Sequence, residues 1–254
     1  NPAARYPGGK AAVVYPSPFG AHNIEAMSFN PGTGLVYIPT MDQGRVYIDP
    51  AEPLKGWKHL NGQRISVGTG AAPAGVTPDR PATSFLLAWN PVTQSEAWRV
   101  PMPGLRGGGG TATTAGNLLF QGNAGGKFLA YAANSGKPLW SFDAQTAVMA
   151  QPITYKARGK QYVTVIAGSR FPSAIGLPRE WNYRAQQWRV LTFSLDGKAS
   201  LPSVQPVETP VIDMPDFSVD PAKVATGATV FGQRCSICHG ANAVSGGMAP
   251  DLLQ

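Results

Sequence analysis

The chain has 254 residues, of which 43% are hydrophobic and 14% charged, with 30 Gly, 24 Pro and a formal net charge of +7. That supplies enough apolar residues for a sizeable core, and many Gly and Pro beside so few charges favour short strands and tight turns over helices. Lys and Arg are scattered singly, without a basic helix or a cluster interleaved with aromatics, which argues against a nucleic-acid binder. No apolar run approaches the length of a bilayer span, and a basic face suits an acidic redox partner instead.

The chain opens on Asn1-Pro2-Ala3-Ala4-Arg5, which has no signal-peptide hydrophobic region and reads as the interior of something longer. In the stretch Gly20 to Pro31, Asn23 sits at a turn. Its amide suits an Asx turn that satisfies its own backbone, or a hydrogen bond to a cofactor. His22 has no metal partner near it in sequence. A strand is predicted over Gly34 to Pro39, followed by an insertion from about Met41 to Pro81, longer than an ordinary connection and rich in Gly, Pro and Ala.

A repeated unit follows. Leu87 to Trp98 aligns with Leu129 to Trp140, each a strand, a turn and a strand ending in Trp, and the two Trp lie 42 residues apart. That is the length of one four-stranded propeller blade, whose apolar faces are buried only when neighbouring blades stack. Between the copies, Gly107-Gly108-Gly109-Gly110-Thr111 has no Lys or Ser/Thr at phosphate-loop spacing and reads as a Gly-rich turn. Further strands are predicted over Gly116 to Gln121, Gln161 to Ala167 and Val190 to Leu195, giving three consecutive blade-like units.

After Asp196-Gly197 the pattern changes. Leu201 to Pro221 is rich in Pro and short polar residues and reads as a linker. From Asp220-Pro221 the spacing becomes helical, with Val224, Gly227, Ala228 and Phe231 three or four residues apart.

That helix leads into Cys235-Ser236-Ile237-Cys238-His239, the only two cysteines of the chain. C-x-x-C-H is the pattern of covalent c-type haem attachment: each thiol forms a thioether with a haem vinyl group, and the adjacent His239 is the proximal iron ligand. The alternatives are a coincidental dithiol or a metal site, but zinc would need two more ligands, and His22 and His59 lie far upstream. Met248 is so close after His239 that it reads as a loop methionine beside a haem edge. The distal ligand is expected outside this chain.

Taken together these segments resemble the C-terminal part of quinohaemoprotein alcohol dehydrogenases. The resemblance is carried by Gly20-Ala21-His22-Asn23 with Met27-Ser28-Phe29-Asn30-Pro31, Thr33 to Pro39, the Gly-rich run into Thr113-Thr114-Ala115-Gly116-Asn117, the Trp140 strand, and Cys235 to Gly240. It implies an all-β fold that is part of an eight-bladed β-propeller, about the last three blades in residues 1–197. A linker over 198–220 and the start of an α-helical cytochrome c domain over 221–254 would follow.

The resemblance further implies pyrroloquinoline quinone, haem c and calcium as cofactors, a small alcohol as substrate, and a periplasmic location. A soluble cytochrome or copper protein would be the electron acceptor. Asn23 matches a position that contacts the quinone. Ile24 stands where the family typically has Trp, which removes an aromatic contact, and Ala167 matches another position near the quinone. The catalytic aspartate, the calcium ligands and the vicinal cysteine pair are expected upstream of Asn1, in a missing N-terminal portion of the propeller, so the chain alone is expected to be inactive. Two other readings stay open. One is a propeller binding module with an appended electron-transfer cytochrome, not itself a dehydrogenase; the other is a structural fragment that never receives haem.

Overall fold

The computed structural model describes residues 11–47, 75–168, 188–203 and 218–235, together with His239, Ala243 and Leu252. Among them the chain is all-β apart from one helix. The strands are β1 (Ala12–Val14), β2 (Ser28–Asn30), β3 (Leu35–Asp42), β4 (Arg45–Tyr47), β5 (Thr83–Asn90), β6 (Ser95–Met102), β7 (Gly108–Thr113), β8 (Leu118–Asn123), β9 (Lys127–Ala132), β10 (Pro138–Asp143), β11 (Ile153–Ala157), β12 (Lys160–Ala167) and β13 (Arg189–Phe193), and the helix is α1 (Pro221–Arg234).

Three sheets carry the fold, ordered β2-β3-β5-β6, β7-β8-β9-β10 and β11-β12-β13, while β1 and β4 form a separate two-stranded pair. The pairs β2–β3 and β5–β6, and every neighbouring pair of the other two sheets, are antiparallel. Successive side chains of a strand point to opposite faces, and the middle sheet uses both. Leu119 opposite Tyr131 faces one core, and the next pair, Phe120 opposite Ala130, faces the other. The first core joins Leu35, Tyr37, Leu86 and Met102 to the middle sheet, and the second joins the middle sheet to Val165, Ala167 and Leu191. Each sheet is thus stabilised by its neighbours rather than by itself.

The Trp period marks these joints. Trp98 Nε1 donates to Ala133 O at 3.2 Å, and the Tyr37 hydroxyl donates to the same carbonyl at 2.9 Å, so both polar tips are satisfied while the rings pack 5.7 Å apart. Gly136 adopts φ +70°, and a Cβ there would lie 2.6 Å from the Trp98 ring, so this turn needs Gly for both reasons. The strands run on past their Trp: Trp98 is the fourth of eight residues in β6, and Trp140 the third of six in β10.

The Gly107-Gly108-Gly109-Gly110-Thr111 run is not a turn, and that expectation is corrected. Gly108 to Thr111 lie within β7, at one edge of the middle sheet. The glycines serve close approach: a Cβ on Gly109 would lie 2.6 Å from Val148 O, and one on Gly110 would lie 2.9 Å from the Gln151 Cα.

Burial of Tyr131, 2% exposed, pushes its phenol up to about 12. The folded state therefore keeps the phenol neutral where an unfolded chain, ionising near 10, does not. Stability that is complete below pH 10 is lost as the pH rises toward 12. Chemical denaturation at pH 9 and 11.5 is expected to show an alkaline loss of about 2 kcal/mol that Tyr131→Phe removes.

The chain divides into two compact units, one of Asn1–Asn23 with Met41–Thr83 and one of Ile24–Thr40 with Ser84–Gln254, so the predicted insertion belongs with the N-terminal segment. In the first unit β1 pairs with β4, Arg80 makes a two-pronged ion pair with Asp42 at 2.8 and 2.9 Å, and its guanidinium lies 3.9 Å above the Tyr15 ring. Tyr15 in turn donates to Asp79 at 2.6 Å, and Asp79 and Arg80 line a shallow hollow with Gly44, Pro78, Pro81 and Ala82.

Candidate functional site

The helix that leads toward the C-x-x-C-H motif begins where the sequence places it. Asp220 is its N-cap, accepting from Ala222 N at 3.0 Å, and Pro221 takes the first turn, where its missing N–H costs nothing. The helix ends on Cys235, whose N–H still donates to Phe231 O at 2.8 Å, and one turn further on His239 N donates to Cys235 O at 3.0 Å. Cys235 and His239, both half-buried, are thus tied together by this backbone bond.

Cys235 is a free thiol. A thiol and an imidazole one turn apart fit the donor chemistry of covalently bound haem, with Cys235 as one thioether and His239 as an axial ligand. Cys238 and Met248 lie outside the described residues. The apolar side chains Val224 and Val230 of α1 are exposed, leaving apolar surface for a porphyrin or further helices to cover. Among the described residues there is no group of three His, Cys, Asp or Glu arranged to hold a metal ion.

The segment with the proposed quinone contacts lies ahead of β2. Asn23 is exposed, and its Nδ2 donates to Phe19 O at 3.0 Å, so the side chain closes its turn as a donor rather than as the acceptor of an Asx turn. Ile24 is 74% exposed. An exposed carboxamide followed in sequence by an exposed aliphatic side chain fits a planar polar ring in chemical character. Ala167 is fully buried in the second core at the end of β12, and the next residue, Gly168, donates its N–H to Ala147 O at 2.8 Å.

Two residues that local patterns do not single out stand beside this segment. Glu25 and Arg106 form a 2.9 Å ion pair with side chains 11% and 19% exposed. They are 81 residues apart in sequence, and neither belongs to a motif.

Antiparallel sheets stacked through shared cores, with tryptophans at a blade-length period, define a propeller-type protein. Residues 2–163 match the family described as PQQ, glucose/ethanol/alcohol dehydrogenase, beta-propeller domain, and the chain belongs to that family. It is 42% identical over 245 residues to the quinohemoprotein alcohol dehydrogenase ADH IIB of Pseudomonas putida, covering 95% of this chain and 35% of that protein. It is also 38% identical over 257 residues to the quinohemoprotein alcohol dehydrogenase of Comamonas testosteroni, covering 98% and 35%.

The solved structure of quinohemoprotein alcohol dehydrogenase ADHIIG from Pseudomonas putida HK5 superimposes with a TM-score of 0.73 at 35% identity, over 98% of this chain and 37% of that one. That of the Comamonas testosteroni enzyme gives 0.71 at 35% identity, over 99% and 36%. The chain thus spans about a third of the length of the relatives it matches. At family level the reading is alcohol oxidation dependent on pyrroloquinoline quinone.

Proposed function

We propose that this chain forms the C-terminal part of a periplasmic alcohol dehydrogenase that uses pyrroloquinoline quinone and haem c. Residues 1–197 supply about the last three blades of an eight-bladed propeller, 198–220 a linker and 221–254 the start of a cytochrome c domain. The observation that carries the reading is the joining, in one chain, of family-matching sheets to a helix that leads into Cys235, whose carbonyl accepts the His239 N–H.

The outer faces of the stack support the propeller assignment. In the third sheet Ile153 lies opposite Thr164, Tyr155 opposite Tyr162, and Ile166 opposite Val190. Ile153, Tyr155, Ile166 and Val190 are all exposed. An apolar face of this kind gains stability by being covered, and within the chain two such faces are already covered by a neighbouring sheet. The rest of the propeller is the proposed occupant.

Bound quinone supplies two-electron acceptance from the alcohol, and bound haem supplies single-electron passage to an outside acceptor. The chain's own residues bind and orient. Cys235 and Cys238 tether the haem, His239 ligates its iron, Asn23 offers its carboxamide to the quinone, and Ile24 and Ala167 shape the apolar surroundings. The catalytic aspartate and the calcium ligands belong to the remainder of the propeller. The acceptor is a soluble cytochrome or copper protein, docked through the net positive charge. Its reduction rate is therefore expected to fall as salt rises.

Steady-state dye reduction tests the proposal. With added quinone and calcium, the complete gene product is expected to reduce an artificial acceptor when given a primary or secondary alcohol, and the 254-residue chain alone is expected not to. No alcohol-dependent reduction by the complete product would leave the chain as a binding module with an attached cytochrome.

A further inference from the structure

The segment from Ile24 to Ser28 is held by more contacts than strand pairing requires. Ala26 O accepts from Thr111 N at 2.8 Å and from the Thr111 hydroxyl at 3.2 Å, and Ser28 Oγ lies 2.8 Å from the same hydroxyl. One residue before Ala26, Glu25 Oε1 meets Arg106 Nη2 at 2.9 Å. Arg106 stands on a stiff platform. In the β6–β7 connection Ser84 Oγ accepts the Gly107 N–H at 3.0 Å and donates to Gly104 O at 2.7 Å, and a Cβ on Gly107 would lie 2.1 Å from Pro103 O.

An exposed ion pair contributes little to stability. One largely withdrawn from water must first offset the desolvation of both charges, so its net contribution to stability is small while its geometric demand is large. A pair that joins residue 25 to residue 106 on an already rigid turn is therefore better suited to fixing a position than to holding the fold together.

We propose that Glu25 and Arg106 are a positioning pair that fixes the segment beginning at Ile24 beside the Gly-rich strand β7, so that the exposed Ile24 side chain is presented to the quinone in one place. This rests on the reading of Asn23 and Ile24 as quinone contacts. Without the pair, the segment keeps its Thr111 bonds but gains freedom at Ile24, and the quinone must order it on binding, which weakens affinity.

The test uses the complete gene product, freed of quinone and titrated with pyrroloquinoline quinone by fluorescence quenching. Glu25→Gln and Arg106→Met are each expected to weaken affinity on the order of tenfold, as loss of an orienting partner does at other cofactor sites. Each single variant also leaves one charge largely buried and unpaired, so its Tm without quinone is expected to fall, whereas the double variant Glu25→Gln with Arg106→Met, which removes both charges, is expected to keep a Tm near the parent's and still bind quinone about tenfold more weakly. The exchanged pair, Glu25→Arg with Arg106→Glu, is expected to recover much of the affinity, and it keeps the question open to test should a single variant not fold. Unchanged affinity in both single variants, while Ile24→Asp still weakens binding, would overturn the positioning role and leave the contact reading intact. If Asn23→Ala and Ile24→Asp also bind quinone normally, the contact reading itself fails. A large fall in Tm without quinone in the double variant Glu25→Gln with Arg106→Met, with faster hydrogen exchange throughout the sheets, would make the pair structural only.

Discussion

Replacing both Cys235 and Cys238 with alanine is expected to take covalent haem from one per chain to none. Haem staining after denaturing electrophoresis, on protein exported through a host's cytochrome maturation machinery, reads this directly. The effect is all or none because each thioether is a bond, not an affinity. Cys235→Ala alone is expected to leave haem attached through a single thioether, since the remaining thiol keeps its place next to His239. His239→Ala is expected to leave both thioethers and to change the iron spectrum, because it removes a ligand and no tether. The local geometry makes this separation plausible: the His239 N–H closes on Cys235 O by a backbone bond, so neither substitution removes the turn itself. Retention of covalent haem in the double variant would contradict the assignment.

The largest effect on stability is expected at Phe128. It is fully buried in the second core, with ring centroids of Phe193 at 5.4 Å, Phe120 at 6.0 Å and Trp140 at 6.1 Å. Phe128→Ala removes buried apolar area and leaves a cavity among rigid rings, a loss of about 3–5 kcal/mol. Against a total stability of about 5–15 kcal/mol for a typical protein, that is enough to unfold a marginal one. Leu139→Ala, at a position 52% exposed in the neighbouring β10, is expected to change stability by no more than about 0.5 kcal/mol. Urea denaturation of the two variants compares them. Equal losses would mean that the second core is not where the sheets are held together.

Several elements could be read from sequence because their causes are local. The Asp220-Pro221 start of α1 is one, since a capping carboxylate and a proline at the first turn act within three residues. The strands around Val36, Leu119, Val163 and Leu191 are others, because β-branched and aromatic runs entered from Gly turns specify a half-buried strand. The Trp period marked the stacking even though Trp98 and Trp140 sit inside their strands rather than at the ends. Periodicity reports spacing between equivalent positions, not where pairing stops.

What the sequence hid depends on neighbours far along the chain. Glycine signals a turn when it must adopt positive φ and a strand when another backbone comes close. For Gly109 the decision is made by Val148, some forty residues later. An Asx turn, in which the Asn23 oxygen accepts, was the local expectation, and the position of Phe19 O makes the amide a donor instead. The Glu25–Arg106 pair had no local signal, because neither side chain is unusual until the fold removes both from water.

In the proposed enzyme this chain links quinone-dependent alcohol oxidation to a covalently held haem. Rapid mixing tests it most directly: the oxidised complete gene product, loaded with quinone and calcium, is mixed with an alcohol while the haem absorbance is followed. The expected result is haem reduction that requires both alcohol and quinone and disappears in the Cys235→Ala, Cys238→Ala double variant. Haem that stays oxidised through many alcohol additions, in protein shown to hold both cofactors, would contradict it.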